Sequence, residues 1–539
     1  MNTVVLPAGW EHQAAPAATM FDRLGPPLAW WSAAFLLLAL AVLLVERRPG
    51  LSLVLALLST PILAIAANGL VDDAYIQFRY ATNVVAGHGP VFNPGERVEG
   101  ASGGIWIGVL ALAGATSGLD TARCGRILSL VAACFASWCA AAFGRTTGGP
   151  RGAARAAIVW AAVPTSVLYA ATGLETSAFA LGLWGLAAAV ARDRRGPAAL
   201  AGVLVATLRP EGAILALGAT PFWSRLGRAG RAALLGTALG AAAIACGRLL
   251  FYGLPVPRSA LVKGVLAPAG PDQGLLYLGA VALEWWPLLP ALAWLGARYK
   301  ALLPILAPAA LLTILVVLRG GDWMPGGRYL LPLLVVLAAG AAILPAARTS
   351  RWLVAGSAAW GLLLLSPLTP PPTLPAVVPL GRAWRAMAEG RAQSRWWESL
   401  GTWAGRSLPP GTRLAAGPSG ALPYASRLAT FDLYGLCSPV THQRGGEAGH
   451  RLWGLSEALA AGVDVVYPGR SLAMVEDLGA LLPAAQRQVG SEPNLMVDYR
   501  PLTIVHAPEY RFDYLRDEIW IRREVLPAIP HPGAGPLGR

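Results

Sequence analysis

The chain has 539 residues, 55% of them hydrophobic and only 13% charged. Soluble domains carry roughly 25% charged residues, so disorder, a coiled coil and most soluble enzymes are excluded, and a mean hydropathy of +0.52 points to a chain that crosses a membrane many times. The net charge of +14 is nearly all arginine, with Lys263 and Lys300 the only lysines.

Residues 1–27 read as a polar N-terminal tail without the basic start and small-residue cleavage site of a signal peptide. A spanning helix needs about 20 residues, with about 17 tolerated. Apolar runs fall at 28–45, 51–70, 127–143, 156–171, 177–191, 198–208, 212–223, 232–250, 275–297, 301–318, 330–347 and 352–366. Together they predict a polytopic α-helical membrane protein of about 12 spans. Residues 28–50 form an additional N-terminal span ahead of a transmembrane domain at 51–366. The runs 198–208 and 212–223 are too short alone and read as one hairpin broken at Arg209-Pro210-Glu211. The glycine-rich segment 102–118 reads as re-entrant or interfacial.

Beyond Ser366 the character changes. Pro367 to Pro379 is proline-rich, a boundary signal, and residues 367–539 contain no further span. Strands near 412–417 and 462–467, with helices near 381–405 and 452–461, predict a C-terminal extracytoplasmic α/β domain. The cysteines at 124, 134, 139, 246 and 437 show no paired metal-ligand spacing, so neither a disulfide framework nor a zinc site is expected.

Basic clusters recur at Arg47/Arg48, Arg145/Arg151/Arg155, Arg192/Arg194/Arg195, Arg225/Arg228/Arg231, Arg298/Lys300 and Arg348/Arg351, on every second loop. The positive-inside rule assigns those loops to the cytoplasm. The positive excess is therefore an orientation signal, and nucleic acid is not an expected partner. The intervening loops face outward and collect the acidic residues, including Asp72, Asp73, Glu175, Glu211 and Asp322. Arg123 and Arg126 fall on the outer side and run against this scheme.

A charge at mid-bilayer costs roughly 2.5–3.5 kcal/mol on insertion scales, so carboxylates at the ends of apolar runs are informative. Asp72-Asp73 directly follows the run 51–70. Two adjacent carboxylates there can act as a general base, bind a divalent cation, or sit as solvated loop charge. Arg209 with Glu211, and Asp322 with Arg328, are open to a second reading as structural ion pairs; His88, between two glycines, reads more readily as a turn residue than as a ligand.

The outer loop 71–101 carries an aspartate pair, Tyr75, Phe78-Arg79-Tyr80-Ala81, Gly87-His88-Gly89, Phe92-Asn93-Pro94-Gly95-Glu96 and Val98-Glu99-Gly100. In this it resembles the first extracytoplasmic loop of membrane glycosyltransferases of the GT-C fold, particularly the bacterial branch that includes the mycobacterial terminal arabinofuranosyltransferases. That family usually continues with threonine-asparagine, where this chain has Ala101-Ser102. Similar pieces follow in order: Ala171-Thr172-Gly173-Leu174-Glu175, Leu208-Arg209-Pro210-Glu211-Gly212, Phe251 to Pro257, Gly321-Asp322-Trp323-Met324-Pro325 with Arg328-Tyr329, Gly420-Ala421-Leu422-Pro423-Tyr424 and Asp432-Leu433-Tyr434-Gly435-Leu436.

The resemblance implies an eleven-span core and inverting transfer of a sugar, with arabinofuranose the nearest guess, from a polyprenyl-phosphate donor. The acceptor is an envelope polysaccharide or glycolipid at the outer face of the bacterial cytoplasmic membrane. It assigns the general base to Asp72 and gives Asp73 the acceptor or a cation. Tyr75, Arg79, His88, Glu99, Glu175, Arg209, Glu211, Arg258, Lys263, Asp322 and Arg328 become candidate substrate ligands, with Arg209, Arg258, Lys263 and Arg328 facing the phosphate. A transporter or flippase of a lipid-linked sugar is the alternative. It would call for internal repeats with broken helices in matching halves, and none is visible.

Overall fold

The computed structural model describes residues 2–5, 27–67, 69–262, 270–289, 303–322, 324, 326–343, 348–365, 382–438, 455–467, 469, 499–505 and 516–522. Helices dominate the first two thirds: α1 (Pro27–Leu44), α2 (Pro49–Ala66), α3 (Asp72–Val85), α4 (Gly104–Ser117), α5 (Thr121–Ala162), α6 (Pro164–Leu168), α7 (Thr176–Ala191), α8 (Arg195–Leu208), α9 (Glu211–Ala219), α10 (Arg228–Tyr252), α11 (Arg258–Leu261), α12 (Pro271–Trp285), α13 (Leu303–Arg319), α14 (Leu331–Ile343) and α15 (Arg348–Leu364). Among the described residues, α2, α5 and α10 are long and apolar enough to cross a membrane, and seven further apolar helices have 10–17 residues.

Several predicted boundaries move, each for a local reason. α5 runs through 42 residues but is two helices joined at a kink, where Gly148 and Gly149 leave helical geometry (φ −131° and +63°) just ahead of Pro150. The run 156–171 does not stay helical, because Pro164 forces Val163 extended and a separate short α6 begins. The run 275–297 stops as an α-helix at Trp285 and passes into a 3-10 turn at Trp286–Leu288 containing Pro287. The largest departure is in the first outer loop, where residues 72–85 form helix α3 rather than a loop.

The two ends of the bundle differ chemically. At one end Glu46 pairs with Arg155 (2.5 Å) and Arg151 (3.2 Å), Arg192 donates to Thr146, and Asp193 accepts the Ala229 amide. The first four basic clusters thus gather together, as the charge pattern predicts. The carboxylate-bearing turns meet at the opposite end. Helix α4 does not carry the chain between them. Ser102, ahead of it, accepts from Arg248, while Thr121, behind it, donates to the Phe78 carbonyl of α3. Its two ends lie on the same side, as a re-entrant segment requires, and the buried Arg126 stays at that side too.

The C-terminal region starts with α16 (Arg382–Ser407) and continues through β2 (Arg413–Ala416), α17 (Ala421–Ser426), β3 (Ala429–Asp432), α18 (Leu455–Ala460), β4 (Val465–Tyr467), β5 (Tyr499–Val505) and β6 (Arg516–Arg522). Its sheet is mixed, in the order β1-β5-β6-β4-β2-β3. The sixth strand, β1 (Asn2–Val5), comes from the segment expected to be a polar tail and pairs parallel to β5, Asn2 opposite Leu502. Strands β3, β2 and β4 are mutually parallel, so the turns that follow them emerge at one edge. That edge rests on α3.

Candidate active site

Helix α3 organises the site, and its 3.6-residue period explains how. Residues 73, 76 and 77 share one face, while 72, 75 and 79 share another. Asp73, Ile76 and Gln77 line a cavity of about 120 Å³ at the acidic end of the bundle. Its other walls come from residues 100–102, Glu175, Arg209 to Glu211, Ser259, Arg319, Arg328, Tyr329 and, from the C-terminal region, Leu436. Both aspartates occupy the first turn of α3, where the helix dipole favours negative charge.

Buried charge in the cavity wall is organised in two triads. Arg209 donates from Nη1 to Glu175 (3.1 Å) and from Nη2 to Glu211 (2.7 Å). Gln77 Nε2 donates to the other oxygen of Glu175 at 2.6 Å. Arg328 holds both oxygens of Asp322, from Nε at 2.5 Å and Nη2 at 3.2 Å, and reaches Asp73 from Nη2 at 3.2 Å. Both structural-pair readings of the sequence therefore hold geometrically, and Arg209, Glu211, Glu175 and Arg328 line the cavity as well. Tyr329 lies among three guanidinium groups, its ring centre 5.3 Å from Arg209, 5.1 Å from Arg319 and 5.3 Å from Arg328.

The second face of α3 meets the C-terminal domain. Asp72 accepts from the Ala421 amide at 2.7 Å and from the Gly420 amide at 3.2 Å. Desolvation pushes its carboxyl up to about 7, and the neighbouring Asp73 adds to the rise against the pull of the two amides. Gly420 is required by this approach, since a Cβ there would collide with the Asp72 carbonyl oxygen and stand 2.6 Å from its carboxyl carbon. Tyr75 donates to Glu398 of α16 at 2.9 Å, and its ring meets Tyr424 edge-on. Burial raises the Glu398 carboxyl to about 7.

Several predicted substrate ligands are corrected by these contacts. Arg79 donates to the carbonyls of Phe92 (2.7 Å), Leu428 (2.7 Å) and Pro423 and to the Asn93 side chain (2.9 Å), so it clamps the C-terminal domain and faces away from the cavity. Tyr75 does the same. Glu99 is held by Arg248 (2.9 Å) behind the cavity wall. His88 is exposed in a turn whose flanking glycines have φ of +82° and +84°. Arg258 donates to the Gly435 carbonyl and does not line the cavity, although Ser259 does. Asp322 acts through Arg328. Lys263 lies outside the described residues.

The proposed cation site on Asp72 and Asp73 does not fit either. Consecutive helical residues do not face each other, and the two carboxylates have separate partners, backbone amides for one and Arg328 for the other. Among the described residues no group of three or more His, Cys, Asp or Glu side chains could hold a metal ion.

Gln77, Arg319, Tyr329 and the Gly420–Ala421 amides were not singled out as ligands from sequence. The helical spacing from Asp73 to Gln77 was the available signal for the first. Nothing local marked Arg319, which ends an apolar helix.

A family model described as a domain of unknown function (DUF8728) matches residues 383–514. The terminal β-(1→2)-arabinofuranosyltransferase of Mycobacterium tuberculosis is 28% identical over 369 residues, covering 54% of this chain and 58% of that protein. The chain thus spans somewhat less than two thirds of that relative. ArnT from Cupriavidus metallidurans, solved bound to undecaprenyl phosphate, superposes with a TM-score of 0.50 at 14% identity, covering 90% of this chain and 98% of that one. Its apo state gives 0.51 at 13% identity, covering 87% and 97%. At such identities the likeness is one of fold. The chain has an ArnT-like GT-C architecture and resembles the branch that the first outer segment indicated.

Proposed function

We propose that this protein is an inverting glycosyltransferase of the outer face of a bacterial cytoplasmic membrane. It takes a sugar, with arabinofuranose the first candidate, from a polyprenyl-phosphate donor to an envelope glycan or glycolipid. The observation that carries the reading is the aspartate pair at the start of α3. One carboxylate lies in an arginine-lined cavity, and the other accepts from two backbone amides while burial pushes it up to about 7.

Asp72 is the general base and Asp73, on the cavity wall, faces the sugar. The acceptor oxygen forms a bond to the anomeric carbon as that carbon's bond to the donor phosphate oxygen breaks. The hydroxyl proton passes to Asp72, and the bonding pair leaves with the phosphate. A phosphate monoester is a stable anion, so no general acid is needed, and a single displacement inverts the centre. A base titrating near 7 suits this role at neutral pH. Among the described residues the arginine-lined cavity and its carboxylates lie at one end of the bundle, which supports an enzyme over a carrier that needs access from both sides.

Purified protein in nanodiscs, given polyprenyl-phosphate sugars and an envelope glycan, tests the reading. Acceptor-linked product with inverted configuration is expected, and mass spectrometry of co-purified lipid names the donor. Movement of intact donor between leaflets in proteoliposomes, with no transfer to acceptor, would support the flippase instead.

A further inference from the structure

The cavity wall contains three arginines, and they are not equivalent. Arg209 is committed to Glu175 and Glu211, and Arg328 to Asp322 and Asp73. Arg319 has no carboxylate within ion-pair distance among the described residues, although Glu211 is near enough to feel its charge. Its guanidinium lies 5.1 Å from the centre of the Tyr329 ring, and the side chain lines the same cavity as Asp73 and Ser259.

An arginine at the end of an apolar helix ordinarily snorkels toward the lipid headgroups. Here α13 ends at Arg319, and the left-handed Gly320 and Gly321 (φ +96° and +84°) turn the chain back toward Arg328. The side chain is directed inward, with its cationic face on an aromatic ring. Stacking restrains a guanidinium without consuming its N–H donors, which stay available for an anion.

We infer that Arg319 is the phosphate-binding residue of the cavity, recognising the phosphate of the lipid donor, a diester that departs as the polyprenyl monophosphate, with Ser259 lining the same cavity. Arg209 and Arg328 are carboxylate-bound and serve as the frame. This rests on the glycosyl-donor reading above and adds to it the residue that takes the leaving group. Arg319 supplies the positive charge that the departing phosphate requires, and the two triads keep the remaining charges fixed around it.

The test measures binding of a polyprenyl monophosphate, and of the matching polyprenol without phosphate, to the full-length protein in nanodiscs. Arg319→Gln is expected to weaken polyprenyl-phosphate binding roughly 10- to 100-fold while leaving polyprenol binding unchanged. Arg319→Lys should recover part of the loss, because the point charge returns without the planar fork. Inorganic phosphate should compete in the wild type and lose that competition in Arg319→Gln. Unchanged affinity in a normally folded Arg319→Gln variant would overturn the assignment. A wild type that binds the phosphate and the alcohol equally would overturn the donor reading and this assignment together. Should Arg319→Gln fold poorly, Arg319→Lys decides alone: wild-type affinity and undiminished phosphate competition refute a fork-dependent site.

Discussion

Asp72→Asn separates the chemistry of the aspartate pair from its architecture. The substitution keeps the shape of the side chain and removes its charge. In the wild type both oxygens accept, from Ala421 at 2.7 Å and from Gly420 at 3.2 Å. An asparagine has one oxygen, so its amide NH2 must meet the other backbone N–H donor to donor. One charge-assisted hydrogen bond is lost, which costs about 1.5–3 kcal/mol. The remaining α3 contacts, from Tyr75 and Arg79, still hold the domains together. The variant should insert and melt cooperatively at a somewhat lower temperature.

The catalytic cost of the same change is larger. Loss of a general base slows a step by roughly 10²- to 10⁴-fold, or about 3–5 kcal/mol in the barrier. Initial rates of sugar transfer from a polyprenyl-phosphate donor measure it. With the carboxyl at about 7, the wild-type rate should rise with pH through 7 and level off above, whereas the residual rate of the variant should lack that limb. The sign for stability is opposite. The folded chain keeps a proton that the unfolded chain releases above 3.8, so the contribution is full below that value and lost as pH rises through about 7. A folded Asp72→Asn variant with more than about a tenth of the wild-type rate, and the same pH limb, would refute the base assignment.

Other perturbations follow from the same contacts. Arg209→Met should destabilise the protein by about 3–5 kcal/mol by leaving Glu175 and Glu211 buried without their cation; adding Glu211→Gln should restore part of the loss in a melting assay. Gly420→Ala should cut transfer at least about tenfold, because the new methyl pushes the Gly420–Ala421 turn off Asp72; wild-type turnover would show that the turn is not needed. Arg79→Gln should expose the domain junction to protease before it affects donor binding, since its donors go to Leu428 and Pro423 and not to the cavity. A reporter fused after residue 380 should be active only outside the cytoplasm, and cytoplasmic activity would reverse the orientation.

Alternating arginine clusters and apolar runs disclosed the two-ended bundle, because orientation signals are local in sequence. That the segment 102–118 returns to the side it starts from was legible too, through its glycine content and the parity of the neighbouring loops. What the sequence hid was the division within the first outer segment. Taken as a loop, residues 72–85 brought Asp72 and Asp73 as catalytic groups and Tyr75 and Arg79 as substrate ligands to one place. Once the segment is a helix, one residue of offset sends Asp73 into the cavity and Asp72 to the C-terminal domain. The partners that hold each side chain lie far away in the chain: Glu398 for Tyr75, Leu428 for Arg79, Gly420 for Asp72. No local pattern reports such pairings. Arg319 was missed because its meaning depends on which arginines are already neutralised, a property of the assembled wall.

The separation between Asp72 and the turn that holds it is 348 residues. At ordinary synthesis rates of about 5–20 residues per second, roughly 20–70 s pass between the emergence of the two. During that interval the bundle can thread into the bilayer and meet donor lipid while its base is still unsupported. On the proposed reading, the base gains its amide partners only once the C-terminal region has been made. If Asp72 is the base as proposed, a nascent or prematurely terminated molecule would occupy the membrane silently, without discharging donor onto water.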